Sequence, residues 1–211
     1  MKWNKKFNYT SLNRIPVNGS RHYAVGQQRL PSVSTILSKT KSEEDKAALA
    51  SWIARVGEKE SERIKNAASA NGTKMHSLIE RYLKNRENLE LLEIEEETGL
   101  AKQMADKIIS EGIEGKVNEV HGVECPIYYD SPKGWAGTAD LVATYESQLS
   151  ICDMKQKNSI MKESYSSYHE YMTQIAGYSL AHDKLFGSTI TQGVILLATT
   201  DLVFQIFRID H

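Results

Sequence analysis

Two consecutive apolar runs that each contain an aspartate limit how this chain can fold. They are WAGTADLVATY at 135–145 and LSICDMKQK at 149–157, and they carry Asp140, Asp153 and Lys155. Their length, composition and residue alternation predict two adjacent β-strands within a layered α/β core. Aspartate is depleted in such strands, because a charged carboxylate in an apolar layer is costly unless it is paired or binds a metal ion.

The turn between the two strands decides whether these charged side chains meet. Residues two apart in a strand share a face, so Asp153 and Lys155 project together. A two-residue turn at 146–147 places Asp140 opposite Asp153, and a turn at 147–148 places it opposite Lys155. Either turn puts all three on one face, whereas a three-residue turn sends Asp140 to the far face unless a bulge intervenes.

Two carboxylates about 5 Å apart across a strand pair repel each other, and a divalent cation removes that repulsion. Oxygen ligands beside a lysine favour Mg²⁺ or Mn²⁺, which can polarise a phosphoryl oxygen and acidify a bound water. The chemistry indicated is phosphodiester hydrolysis. The alternative is a structural Asp–Lys pair in a hairpin, and an isolated D-x-K does not discriminate between them because the tripeptide is common.

Composition sets the class of protein within which this site must work. The chain has 211 residues, 25% charged and 40% hydrophobic, with a net charge of −1. These values predict one globular domain and give no global support for duplex binding, so any nucleic-acid partner needs a local patch. No apolar run approaches the roughly 18 residues of a membrane span, and the first residues lack a secretion signal. We expect a cytoplasmic protein of a bacterium or a phage-infected cell, without a membrane partner.

Residues 1–40 are predicted to form an N-terminal arm with a β-hairpin around Gly26. Basic and aromatic residues interleave in this arm, which suits single-stranded nucleic acid because bases stack on rings and phosphates attract cations. A solvated tail is the alternative. The residues concerned are Lys2, Trp3, Lys5, Lys6, Phe7, Tyr9, Arg21 and Tyr23.

The rest of the single domain, 1–211, divides into a helical region at 41–115 and a sheet core at 116–211. The acidic run ELLEIEEETG is expected to be a solvated helix end or loop. The order of helices, three strands, a helix and two strands predicts an α/β fold with a central mixed β-sheet flanked by helices. Helices are predicted at about 42–66, 72–85, 98–111 and 168–186.

Other polar residues accompany the two aspartates in a fixed order. Glu124 lies in GVECPIYY on the preceding strand, and GTKMHSLIE places His76 and Glu80 on one helix face. Gln174 and Tyr178 share a face of the later helix by the same spacing. Each of these residues has an ordinary structural explanation when taken alone, but an accidental series in this order is far less probable.

The series G-x-x-x-H-x-x-x-E, E, G-x-x-D, D-x-K and Q-x-x-x-Y resembles the RecB-like branch of the PD-(D/E)XK nuclease superfamily. The segment RHYAVGQQRLPSVSTIL, followed by a helix with Trp52 and then RVG, is similar to the mitochondrial genome maintenance exonuclease and its phage and bacterial relatives. The resemblance covers roughly residues 21–200. It implies a restriction-endonuclease-like core preceded by an N-terminal helical region.

The resemblance also implies a role for each residue of the series. Asp140, Asp153, His76 and the backbone carbonyl of Met154 would be metal ligands, and Lys155 the catalytic lysine. The supporting residues would be Glu124, which holds a metal-bound water or a second ion, and Glu80, Gln174 and Tyr178, which orient the site or contact nucleic acid.

Two features depart from the family pattern. Its members often have D-x-K-T, whereas Gln156 follows the lysine here and Ser159 is the remaining candidate for the hydroxyl. The four cysteines that hold an iron–sulfur cluster in some RecB-like nucleases are missing, since only Cys125 and Cys152 are present. We therefore expect Mg²⁺, with Mn²⁺ as a substitute, and no iron–sulfur cluster.

The function implied is a divalent-metal-dependent DNA exonuclease that acts on single-stranded DNA with a free end, in DNA repair, recombination or phage DNA metabolism. A PD-(D/E)XK endonuclease is the nearest alternative, because the same core serves both activities. A nucleic-acid-binding module without catalysis is a second alternative. A purely structural protein has no reason to face acids toward one another inside a sheet.

Overall fold

The structure is a computed structural model that describes residues 1–88 and 98–210. Most of the run ELLEIEEETG, for which a helix end or loop was predicted, lies outside the described residues. The strands are β1 (Lys2–Trp3), β2 (Asn13–Val17), β3 (Ser20–Val25), β4 (Gln28–Pro31), β5 (Val117–Tyr129), β6 (Trp135–Tyr145), β7 (Gln148–Lys157), β8 (Gln192–Thr199) and β9 (Phe204–Asp210). The helices are α1 (Val33–Lys39), α2 (Glu43–Val56), α3 (Glu58–Asn88), α4 (Leu100–Lys107) and α5 (Ser166–Phe186), and a π-helical segment (Ile108–Ile113) follows α4.

A six-stranded mixed sheet in the order β1-β5-β6-β7-β8-β9 forms the centre of the protein. The pairs β1–β5 and β7–β8 are parallel, and the pairs β5–β6, β6–β7 and β8–β9 are antiparallel. One face packs against α3, α4 and the π-helical segment, and the other face packs against α5. This arrangement confirms the predicted α/β fold with a central mixed sheet flanked by helices.

The turn between β6 and β7 is the first of the two predicted turns, at 146–147, although the backbone pairing ends one residue before Asp140 and Asp153. The paired residues run from Tyr145 and Gln148 to Leu141 and Cys152, with a two-residue turn at 146–147. Both turn residues have positive φ, 46° and 72°, which is the geometry of the tight turn that matches the twist of a hairpin.

The N-terminal region contains a second sheet of three antiparallel strands, β2-β3-β4. The predicted hairpin around Gly26 is confirmed as β3 and β4, and β2 adds a third strand through a turn at Asn18–Gly19. Tyr23 and Leu30 of this small sheet are buried against Ala136 of β6. The small sheet is therefore packed on the main sheet next to the first half of β6.

Three aromatic residues of the N-terminal arm, Trp3, Phe7 and Tyr9, pack against the rest of the protein, so this part of the arm is not a solvated tail. β1 joins the main sheet beside β5, and the Trp3 indole N–H donates to the Leu83 carbonyl at 3.0 Å. Phe7 and Tyr9 pack against the α5 side of the sheet, where the Phe7 and His182 rings lie 4.5 Å apart. Burial of apolar rings against α5 outweighs their exposure to solvent.

The predicted end of the first helix near residue 66 and the predicted start of the second near residue 72 are wrong. The first helix, α2, ends at Gly57, whose φ of 87° suits glycine, and α3 then runs without interruption through Gly72. The short helix α1, which was not predicted, begins after Ser32, whose hydroxyl accepts the Thr35 N–H at 3.0 Å. None of the helices within the described ranges is long and apolar enough to cross a membrane.

Replacing Ser147 by glycine is expected to stabilise the protein by roughly 0.5–1 kcal/mol, because glycine adopts a positive φ without the steric penalty of a Cβ. The measurement is the free energy of unfolding in urea. Ser147→Ala is the matched control, since alanine keeps the Cβ and should give no gain. Equal effects of the two substitutions would contradict the role assigned to the turn.

Candidate metal centre

Side-chain alternation reverses at Glu124 in β5 and at Asp140 in β6. Val123 and Leu141 pack on the α3 face of the sheet, whereas Cys125 and Ala139 pack on the α5 face. The paired residues on either side of this step, Val123 with Leu141 and Cys125 with Ala139, set Glu124 opposite Asp140. Strand residues two positions apart normally share a face of the sheet. Here they lie on opposite faces, so the regular alternation is interrupted at these two acidic residues.

The backbone of Glu124 shows how this change is made. Its φ is +50°, a left-handed conformation that is uncommon for residues other than glycine and rare within a strand. Such a conformation costs about 1–3 kcal/mol and persists only where surrounding contacts impose it. It occurs here at one of the predicted site residues.

His76 of α3 completes a group of three possible ligands. Its Nδ1 lies 3.6 Å from Asp140 Oδ2, and one ligand atom each from His76, Glu124 and Asp140 lies within 4.8 Å of the other two. The three residues come from α3, β5 and β6, and all are partly exposed. This group could hold a metal ion.

The electrostatics of the group favour a cation. Burial, followed by the charge of Asp140, raises the pKa of Glu124, and the positive charge of Arg14 is one of the weaker opposing effects. Two acidic groups and an imidazole therefore face one space where a negative charge is disfavoured. A cation in that space would relieve the repulsion between Glu124 and Asp140.

β6 and β7 separate beyond Leu141 and Cys152, where their backbone pairing ends although both strands continue. Asp140 Oδ2 accepts the Met154 N–H at 2.8 Å in the gap. The carboxylate thereby satisfies a donor that strand pairing no longer reaches, and its orientation is fixed. Met154 is thus connected to the site through its N–H.

Asp153 is 1% exposed and lies on β7 beside Lys155, with 2.5 Å between Oδ2 and Nζ. Apart from Lys155, neither carboxylate oxygen has a polar partner among the described residues. Burial raises the pKa of Asp153, while Lys155 opposes that rise. A buried carboxylate whose partner is a single lysine fits a cation site, since a metal ion would supply a further partner.

A chain of polar contacts holds Lys155 from the side of α5. Its Nζ donates to Gln174 Oε1 at 3.3 Å, and the Gln174 amide donates to the Tyr178 hydroxyl at 3.2 Å. Nζ also lies 4.9 Å from the centre of the Tyr171 ring. Burial alone would lower the pKa of Lys155, but the charges of Asp153 and Asp140 outweigh it, and the net change is a rise.

Tyr171 was missed in the sequence, although a signal for it exists. Tyr171, Gln174 and Tyr178 are spaced i, i+3 and i+7, so they share one face of α5. Extending the Gln174–Tyr178 pair by one turn toward the N-terminus of the helix would have found it.

The closeness of Tyr178 explains why the GTAD segment begins with a glycine, Gly137. A Cβ at this position would lie 2.6 Å from Cε1 of Tyr178, well inside the contact limit. Tyr178 is 5% exposed, so its ring has little room to move. The absence of a side chain at Gly137 therefore leaves room for Tyr178, whose hydroxyl accepts a hydrogen bond from Gln174.

Of the two remaining predicted residues, Glu80 lies at the cavity of this group and Ser159 does not. Glu80 lines the same cavity and is paired with Lys84 at 2.5 Å, whereas Ser159 lies on an exposed bend after β7 and does not line it. Gln156, which follows Lys155, donates to the Ala68 carbonyl at 2.9 Å and joins β7 to α3.

The group opens into a cavity of about 440 Å³ between the small sheet, α3, β5, β6 and α5. Arg14 and Arg21 of the small sheet line this cavity, and neither was predicted as part of the site from its spacing. Their position depends on how the small sheet packs on β6. The other charged and hydroxyl-bearing residues of the lining are Tyr23, Ser32, Ser34, Thr73, His76, Ser77, Glu80, Glu124, Thr138, Asp140 and Tyr178.

Comparisons with known proteins do not identify the chain. No protein-family model and no curated protein matches it. One solved structure, titled "Crystal structure of SSO0001", aligns with a TM-score of 0.33 and 12% identity, over 52% of this chain and 49% of that one. The chain thus spans about half the length of that structure, and a likeness at this level carries no argument about fold or function.

Glu124→Gln is expected to stabilise the metal-free protein at pH 7.5 by roughly 0.2–1 kcal/mol, because it removes a like charge opposite Asp140. The folded protein favours protonated Glu124, so the wild type loses stability as the pH rises from 4.5 through the raised pKa. The gain should therefore disappear at pH 4. Urea unfolding at both pH values, with chelator present, measures it.

The same variant should bind Mn²⁺ more weakly, as measured by titration calorimetry. Glu111→Gln, on the exposed face of the π-helical segment, is the matched control. A variant that is no more stable than the wild type at pH 7.5, yet binds the ion equally well, would contradict the assignment of Glu124 to the group.

Gly137→Ala is expected to destabilise the protein by about 1–3 kcal/mol, because the added methyl group collides with the ring of Tyr178. Gly177→Ala is the matched control: its Cβ would meet its nearest neighbour at an ordinary 3.5 Å, and alanine favours a helix interior. Thermal unfolding of the two variants tests this difference. Equal losses of stability would show that the contact with Tyr178 is not what requires glycine.

Proposed function

We propose that the protein is a divalent-metal-dependent deoxyribonuclease that hydrolyses phosphodiester bonds as an exonuclease, on single-stranded DNA with a free end. The observation that carries the proposal is the juxtaposition of two groups. One is the possible ligand set His76, Glu124 and Asp140, and the other is the buried Asp153–Lys155 pair. Acidic ligands with an adjacent lysine are the combination that phosphodiester hydrolysis needs.

The residues that would hold the cation are Asp140, His76, Glu124 and Asp153. Carboxylates suit Mg²⁺, and the imidazole makes Mn²⁺ an acceptable substitute. When bound, the ion supplies a polarised phosphoryl oxygen and a water of lowered pKa. Asp140 is already oriented for this role, because the hydrogen bond that it accepts from the Met154 N–H fixes its carboxylate.

Lys155 would stabilise the negative charge that develops on the phosphoryl oxygens. Its ammonium group stays protonated beside Asp153 and is 18% exposed, so it is accessible from the site yet held by Gln174 and Tyr171. A cation that is positioned before the reaction costs no reorganisation when charge develops. Tyr178 supports this position through its hydrogen bond with Gln174.

The choice of an exonuclease that acts on single strands with a free end follows the resemblance of the segment RHYAVGQQRLPSVSTIL to the mitochondrial genome maintenance exonuclease and its phage and bacterial relatives.

Digestion of end-labelled DNA in Mg²⁺ tests the proposal. Linear single strands should be degraded and circular single strands should persist, with 5′ and 3′ labels in separate reactions to give the polarity. Lys155→Met should lower the rate by about 10²–10³-fold, because it removes a stabilising charge. Lys133→Met, at an exposed lysine outside the cavity, should leave the rate unchanged.

The other outcomes of this experiment have definite meanings. Equal cleavage of linear and circular strands would establish an endonuclease instead. Binding without hydrolysis in either Mg²⁺ or Mn²⁺ would indicate an inert nucleic-acid-binding module and would overturn the proposal.

A further inference from the structure

Two arginines of the small sheet, Arg14 and Arg21, line the cavity that also contains the acidic group. Arg14 of β2 is paired with Tyr23 of β3, and Pro16 is paired with Arg21, so both arginines project from the sheet face that carries Tyr23. The Arg14 guanidinium lies 5.9 Å from the centre of the Tyr23 ring. Tyr23 is 2% exposed, which fixes this face against β6.

Within the described ranges, both guanidinium groups are without an acidic partner. Neither Arg14 nor Arg21 forms an ion pair with a carboxylate in that part of the chain, although both line a cavity that contains Glu80, Glu124 and Asp140. Both side chains are exposed. Arg14 acts on Glu124 only as a weaker electrostatic effect, and among the described residues no carboxylate within ion-pair distance holds either guanidinium group, so both can contact a ligand in the cavity.

The lining of the cavity contains both acidic and basic residues. The acidic residues repel the phosphates of a nucleic-acid strand except where a cation intervenes, so a strand needs a second, positively charged contact to be held there. Guanidinium groups bind phosphate through paired N–H donors, with a directionality that an ammonium group lacks. The hydroxyl groups of Ser34 and Ser77 line the same cavity and can donate to a phosphate oxygen as well.

We propose that Arg14 and Arg21 form a phosphate-binding subsite that holds the substrate strand next to the scissile bond. The inference rests on the proposed function and deepens it, because it assigns the small N-terminal sheet to substrate binding. The ligand is a phosphate of the strand, either an internal phosphodiester or a terminal monophosphate.

Strand binding without hydrolysis tests the subsite directly. Fluorescence anisotropy of a labelled single-stranded oligonucleotide is measured in chelator, at several salt concentrations, for Arg14→Gln, Arg21→Gln and the double variant. We expect the double variant to bind at least about tenfold more weakly. The slope of log affinity against log salt should fall by about 0.7 for each phosphate that the variant no longer neutralises.

Arg29→Gln is the matched control. Arg29 is an exposed arginine of β4 that is paired with Ala24, so it projects from the opposite face of the same sheet and lines a different cavity. Its substitution removes the same charge from the same sheet without touching the site. Arg14→Lys keeps the charge but removes the paired donors, and it should restore the salt slope with only part of the affinity.

Three versions of the oligonucleotide distinguish the two sources of phosphate: one with a 5′-phosphate, one with a 3′-phosphate and one with hydroxyl groups at both ends. A loss of affinity confined to one phosphorylated strand assigns the subsite to that terminal phosphate. An equal loss with all three assigns it to an internal phosphodiester. Affinity and salt slope equal to those of Arg29→Gln with every strand would overturn the inference.

Failure of the subsite is distinguishable from failure of the proposed function. If the arginines control binding but the wild type hydrolyses no DNA in Mg²⁺ or Mn²⁺, the nuclease proposal fails and the subsite remains. If the wild type hydrolyses DNA and the double variant matches Arg29→Gln in both KM and kcat, the subsite fails and the nuclease proposal remains. Urea unfolding of every variant confirms that each one is folded under the assay conditions.

Discussion

The contact between Glu124 and Asp140 is the constraint on which the rest of the site depends. A sheet covered on both faces has apolar layers above and below, and a carboxylate directed into either layer would be desolvated without a partner. The positive φ of Glu124 and the reversal of alternation in both strands place the two acids at a cavity between layers instead. His76 reaches the same cavity from α3, so the position of this helix on the sheet is part of the site.

β6 and β7 separate next to Asp140, the same residue that meets Glu124. Backbone pairing ends at Leu141 and Cys152, and the side chain of Asp140 takes over the Met154 N–H. An open gap between two strands normally leaves buried donors unsatisfied, but here the carboxylate satisfies one. The charge of Asp153 is balanced by Lys155 alone among the described side chains within ion-pair distance. The strained backbone of Glu124 and the buried charge of Asp153 thus both lie at the candidate metal centre.

The parts of the chain farthest from the site in sequence hold its outer walls. Phe7 and Tyr9 pack on α5, and the Tyr9 hydroxyl lies 2.9 Å from His182 Nε2, so the N-terminal segment supports the helix that carries Gln174 and Tyr178. Residues of the small sheet line the same cavity. The N-terminal arm is therefore a structural component of the site, because burial of its rings against α5 is favourable.

The sequence by itself determined the features that depend on local periodicity. Alternation predicted the strands, turn chemistry predicted a tight turn between β6 and β7, and the i, i+4 spacing predicted the shared face of Gln174 and Tyr178. Only the tertiary structure decided which of the two turns forms, that Glu124 meets His76, that Gly57 ends α2, and that Arg14 and Arg21 line the same cavity as the acidic group. The physical reason is that a positive φ within a strand, a helix break and the packing of one sheet on another are selected by contacts between residues far apart in the chain. A periodic pattern records only what lies within a few residues.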